Sequence, residues 1–138
     1  MSDDPVPLLV KFPAPTDPPS TNAAPGTVRA RIEQHRDKQA WRDTAAMFAR
    51  RHPDVRAGLP PAYVRLRIPF RTNRRRDPSN YVGTVTKWVV DGLVLSGAWP
   101  DDDPRYVTVI EPELFHATTV HENDVTVTIT PRTEGALP

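Results

Sequence analysis

Asp77, Lys87, Asp91 and the triplet Asp101-Asp102-Asp103 are the residues of this 138-residue chain whose types and spacing could do chemistry together. Asp77 stands before Pro78 and reads as a helix N-cap. Its carboxylate can accept a free N–H of the first turn, and the proline's missing N–H costs nothing at the first helical position. The helix is predicted to run to about Leu95, with Gly97 placed to stop it. Asn80, Thr84, Lys87 and Asp91 follow one another at four, three and four residues, one polar stripe along that helix. Carboxylates at its start, a lysine on it and carboxylates beyond its end could converge on a divalent cation. Each has a plainer reading: Asp77 as a cap alone, Asp101 to Pro104 as a turn, and Lys87–Asp91 as an intrahelical ion pair worth about 0.2–0.5 kcal/mol. Asp91 either holds Lys87 in place or acts as a ligand itself.

Basic residues lead into this stretch. From Arg50 to Arg76 there are nine arginines and one acid, Asp54; from Asp91 to Asp124 there are eight acids and one arginine or lysine, Arg105. A basic half beside an acidic half suits a phosphate-binding surface next to a metal site, or a dipolar solvated surface. The net charge of +1 by itself says nothing about nucleic acid. Arg65 and Arg67 lie on the open face of an alternating strand that leads to Arg71 and then to Arg74, Arg75 and Arg76. The guanidinium fork matches phosphate oxygens bidentately, so these six arginines are candidate phosphate-contacting residues, with a solvated strand face as the competing reading for Arg65 and Arg67. A second cluster, Glu111, Glu113, His116, His121 and Glu122, contains transition-metal ligand types, but its spacing matches no zinc pattern. A solvated loop or short strand fits it better.

The elements that must position these residues follow from periodicity. Val6 to Phe12 reads as a first strand whose Pro7 marks an edge or entry position. Pro13 to Gly26 reads as a loop. Val28 to Arg51 is helical in pattern, most clearly from Asp37, with Trp41, Ala45 and Phe48 on one face and Pro53 beyond its end. Ala62 to Phe70 alternates, Val64, Leu66, Ile68 and Phe70 facing one way and Tyr63, Arg65 and Arg67 the other; Pro69 implies an edge position near its end. Tyr81, Val85, Trp88, Val89 and Leu93 form the apolar stripe of the second helix. Tyr106 to Ile110 and Val125 to Ile129 complete the strands. The expected fold is α+β: a single domain over residues 1–138, with a small mixed β-sheet packed against two main helices. Residues 1–26 form a proline-rich strand and loop, and 131–138 a tail.

Composition excludes several classes. There is no cysteine, hence no disulfide framework or thiolate metal site. No run of about 18 apolar residues suggests a membrane span. The acidic start Met1-Ser2-Asp3-Asp4 is unlike a secretory leader, so a cytoplasmic setting is expected. Seven of the 17 prolines precede Thr27, marking that segment as irregular.

The motif Arg76-Asp77-x-x-Asn80, then Lys87 with Asp91-Gly92-Leu93, Gly97 and Trp99-Pro100-Asp101-Asp102, resembles the RusA family of Holliday-junction resolvases, most closely its phage and prophage members. Phe12-Pro13 with Pro18-Pro19-Ser20 resembles the family's early turn, Gln39 to Asp43 the start of its first helix, and Val125 to Thr130 its closing strand. The resemblance implies a RusA-like fold and a Mg²⁺-dependent endodeoxyribonuclease, with Mn²⁺ able to substitute. It would resolve four-way DNA junctions as a homodimer in recombination and repair. On this resemblance Asp77 and Asp102 would be the metal-binding aspartates, Asp101 and Asp91 adjoining candidates, Lys87 the catalytic lysine acting electrostatically on the phosphate, and Asn80 with Arg65, Arg67, Arg71, Arg74, Arg75 and Arg76 the DNA contacts. Carboxylate-held Mg²⁺ would supply Lewis acidity and an ionised water. There are two departures. Ser79 occupies the place of the family's usual second aspartate, and Asn80 to Lys87 is one helical turn longer than in the best-known member. The first leaves an alternative open, a DNA-binding protein that keeps the fold but does not cut. A structural phage protein with neither property is a third reading.

Overall fold

Sequence alternation and the proline and glycine positions set the element boundaries in the computed structural model, which describes residues 6–20 and 26–132. The acidic start and the tail beyond Arg132 lie outside them. Five strands form one mixed sheet: β1 (Leu8–Pro13), β2 (Ala62–Phe70), β3 (Val107–Val109), β4 (Glu113–His116) and β5 (Asp124–Pro131). Their order is β1-β5-β2-β3, with β4 also on β2. β5 is antiparallel to both β1 and β2, whereas β3 and β4 run parallel to β2 along its first and second halves. β1 is an edge strand and starts just after Pro7, where a missing N–H breaks no ladder. β2 is central, but its pairing with β5 ends at Arg67, so at Pro69 it has a free side, as the proline implies.

One sheet face is apolar by alternation. Val10 and Phe12 of β1, Val64, Leu66 and Ile68 of β2, and Val125, Val127 and Ile129 of β5 are all buried. Two main helices cover it: α1 (Val28–Ala49) through Trp41, Ala45 and Ala49, and α3 (Lys87–Leu95) through Val89 and Leu93. Burial of each such large side chain contributes about 1.5–3 kcal/mol. Thr27 caps α1, its hydroxyl accepting from Ala30 N at 3.0 Å. A short α2 (Pro53–Ala57) follows, an element that periodicity does not predict; Pro53 starts it rather than only ending α1.

The second helix departs from the expected regular form. Pro78–Tyr81 is a 3₁₀ turn, Val82–Thr86 a π turn, and only Lys87–Leu95 is α-helical. Gly83 and the β-branched Val82, Thr84, Val85 and Thr86 are weak helix formers, and a π turn changes the angular register of everything after it. The apolar stripe survives: Tyr81, Val85, Trp88, Val89 and Leu93 are buried. The polar stripe does not, because Thr84 is turned into the protein and its hydroxyl donates to the Pro19 carbonyl at 2.6 Å. Gly92 lets α3 cross α1 closely. A Cβ there would overlap the Arg42 carbonyl and stand 3.0 Å from Ala45 Cβ. Gly97 takes φ 101°, the left-handed turn that ends the helix.

Candidate active site

Two anchors bring the acidic loop to the side of α3. Trp99 is buried and its indole N–H donates to the Pro60 carbonyl at 2.9 Å, while Leu59 N donates to the Ala98 carbonyl at 2.7 Å. The loop beyond folds on itself. Asp102 N donates to Asp101 Oδ1 at 2.7 Å, and Asp103 accepts from Arg105 N at 2.8 Å and from its guanidinium. Asp103 is thereby committed to the turn. Arg132, just after β5, clamps this loop by donating to the Pro104 carbonyl and Thr108 Oγ1, both at 2.8 Å.

Lys87 reaches this loop. Its Nζ donates to Asp91 Oδ1 at 3.0 Å and to Asp102 Oδ2. Asp91 is one turn further along α3, whereas Asp102 comes from the loop, so the lysine joins helix to loop. The bond from Lys87 holds the Asp102 carboxyl below its ordinary range, and the bonds to Asp102 and Asp91 hold the Lys87 ammonium above its own. Both are therefore charged at neutral pH. An ammonium held this way is no general base; it can stabilise negative charge electrostatically.

Asp77 caps the 3₁₀ turn as expected, but with one oxygen doing two tasks: Oδ1 accepts from Ser79 N at 3.0 Å and from Ser79 Oγ at 2.9 Å. It is not among the partners of Lys87. Among the described residues, no three Asp, Glu or His side chains are gathered as a ready metal cage. The donor chemistry nonetheless fits Mg²⁺. Asp91 and Asp102 offer carboxylate oxygens to one cationic centre, half-exposed and open to water. The second cluster is dispersed: Glu113 faces Arg67, Glu122 accepts from Thr118 and Thr119, and His116 Nε2 lies 3.2 Å from the Arg71 carbonyl, which it meets as donor.

The arginines fall into two groups. Alternation puts Arg65 and Arg67 on the sheet face opposite Val64, Leu66 and Ile68, away from the helices and Lys87. Arg65 Nε donates to the Glu111 carbonyl at 3.1 Å. Arg67 stands 3.7 Å from Glu113 Oε1 and lies over the Phe115 ring at 3.6 Å. The second group is the loop from Arg71 to Arg76. Arg76 folds back, donating to the Thr72 carbonyl at 2.9 Å and the Arg74 carbonyl at 3.1 Å, with its guanidinium 4.0 Å from the Phe70 ring centre. Arg71 stands 3.9 Å from Asp17. Arg74 and Arg75 are exposed, and among the described residues no ion pair engages their side chains. Asn80 sits half-buried in the 3₁₀ turn, its N–H donating to the Asp77 carbonyl at 3.0 Å.

The residues that shape this loop and the helix start, Phe70, His116, Thr84 and Pro19, are legible in the sequence only as strand, cluster, stripe and turn residues, not as neighbours of this site. Only the parallel register of β4 on β2 places His116 opposite Phe70 and beside the basic loop. No helix among the described residues is long and apolar enough to cross a membrane. No protein-family model and no curated protein matches this chain.

Proposed function

We propose that this chain is a Mg²⁺-dependent, structure-specific endodeoxyribonuclease of RusA type that cuts four-way DNA junctions as a homodimer, in the cytoplasm of a cell replicating phage or prophage DNA. The observation that carries the reading is Lys87 held between Asp91 of the helix and Asp102 of the acidic loop, on a helix whose start adjoins the exposed Arg74 and Arg75. Mg²⁺, when bound, supplies Lewis acidity and an ionised water. Asp102 and Asp77 are the residues that would hold it, with Asp101 and Asp91 adjoining. Lys87 contributes a permanent positive charge toward the phosphate, and Arg74 and Arg75 hold the neighbouring backbone. Two symmetric nicks call for two sites, which a twofold dimer provides.

A second reading is a junction-binding protein that does not cut. It is favoured by Ser79, whose N–H and hydroxyl both occupy Asp77 Oδ1 where the resembled pattern has a further carboxylate. Incubating a synthetic mobile junction with the protein, with and without Mg²⁺, separates the two. Paired nicks that require the metal support the enzyme; salt-dependent binding without nicks supports the second reading. A protein that neither binds nor cuts the junction sinks both.

A further inference from the structure

Lys87 draws its partners from two rigid supports. Asp91 is fixed four residues along α3, and Asp102 is fixed by the loop that Trp99 anchors on the Pro60 carbonyl and that Asp101 folds. One oxygen of each, Oδ1 of Asp91 and Oδ2 of Asp102, is taken by the same ammonium. That ammonium occupies the place between two carboxylates that any cation would seek. A divalent ion and a protonated amine repel at such range, so the two compete for the place. The lysine can leave it: its side chain is 50% exposed, on a flexible four-carbon stem, whereas Asp91 and Asp102 are 28% and 30% exposed.

We infer that Lys87 is a built-in counter-cation of this site: in the metal-free protein it neutralises Asp91 and Asp102, and a divalent ion reaches Asp102 by displacing it. This deepens the proposed function and rests on its metal site. The displaced ammonium then loses Asp102 as a partner, keeps only its exposed intrahelical pair with Asp91 and can turn to a phosphate, so the lysine becomes available to substrate once the metal is in place. The site thereby couples metal occupancy to anion recognition through one side chain. An ordinary intrahelical pair between Lys87 and Asp91 would show no such coupling, because Asp102 would keep its full charge for the metal.

The test is direct titration with Mn²⁺ alone, without DNA, followed by calorimetry or by the loss of free Mn²⁺ signal in electron paramagnetic resonance. Lys87→Met removes the competing charge and keeps the stem, and is expected to bind Mn²⁺ about tenfold more tightly than the unaltered chain. Lys87→Arg keeps the charge and is expected to stay close to the unaltered affinity. Melting in chelator confirms that each variant is folded; Lys87→Gln replaces the methionine variant should that one fail to fold. Equal or weaker Mn²⁺ binding by the folded, uncharged variant overturns the inference while leaving the metal site standing. An absence of Mn²⁺ binding at millimolar concentration in every variant removes the metal site, and the inference with it.

Discussion

At the scale of single residues, the bond between Lys87 and Asp102 has consequences for stability as well as chemistry. Asp102 titrates below its ordinary value of 3.8 because Lys87 donates to it, and Lys87 titrates above its ordinary 10.5 chiefly through the same bond. A lowered carboxyl contributes stability that is complete above its unfolded value and is lost as pH falls through the folded one. A raised ammonium contributes stability that is complete below its unfolded value and is lost as pH rises through the folded one. In chelator, the difference in melting temperature between the chain and Lys87→Met is therefore expected to be flat across neutral pH, to close as pH falls below 3.8 through the lowered Asp102 value, and to close again as pH rises past 10.5 through the raised Lys87 value. A difference that persists into strong acid would show that the methionine acts through packing instead. For the chemistry, Asp102→Asn is expected to slow junction nicking by about 100-fold or more while binding is kept or tightened, since one repulsive charge is gone. Cutting at the unaltered rate would remove Asp102 from the site.

At the scale of elements, the crossing of α1 and α3 decides where Lys87 and Asp91 stand. It depends on Gly92, which has the Arg42 carbonyl and Ala45 Cβ directly against its Cα hydrogens. Both neighbours belong to a helix, and a carbonyl in a helix cannot swing aside as a side-chain tip can. Gly92→Ala is expected to cost about 1–3 kcal/mol, read as a lower urea midpoint with an unchanged slope. An unaltered midpoint would mean that the helices slide apart at no cost. The π turn just before α3 likewise depends on tertiary structure. Thr84 is held inward by the Pro19 carbonyl, and Thr86 Oγ1 is buried without a hydrogen-bond partner among the described residues. Thr84→Val, nearly isosteric, leaves the Pro19 carbonyl without its donor and is expected to lower stability by about 1–3 kcal/mol in the same measurement.

At the scale of the whole molecule, the arginines of the basic half differ in how far other groups of the protein engage them. Arg74 and Arg75 are exposed beside the start of the helix that carries Lys87, whereas Arg65 and Arg67 lie on the far side of the sheet, engaged by Glu111, Glu113 and Phe115. A phosphate backbone approaching the far face would meet two carboxylate-bearing residues as well as two arginines. Each duplex phosphate that a protein neutralises steepens the log–log salt dependence of binding by about 0.9. Replacing Arg74 and Arg75 by alanine is expected to make that slope shallower by nearly 2, and replacing Arg65 and Arg67 to change it less. The reverse order would put the DNA against the open sheet face.

Much of this architecture is determined by sequence alone, and the physical reason is local. Strand alternation in Ala62–Phe70 and Asp124–Pro131 decides which side chains face the core, because the period of two leaves no other choice. The helix stops at Gly97 because only a left-handed residue turns the chain there. The pairing of Lys87 with Asp91 follows from a spacing of four on a helix. Other features are decided only by the folded whole. The inward turn of Thr84 depends on a π turn and on a carbonyl 65 residues away. The meeting of Lys87 with Asp102 depends on Trp99 finding the Pro60 carbonyl. The placement of Arg65 and Arg67 on the open sheet face depends on which face of the sheet the helices cover. Spacing along the chain reaches only one or two turns of helix. Beyond that, packing of the apolar face sets which distant polar groups become neighbours.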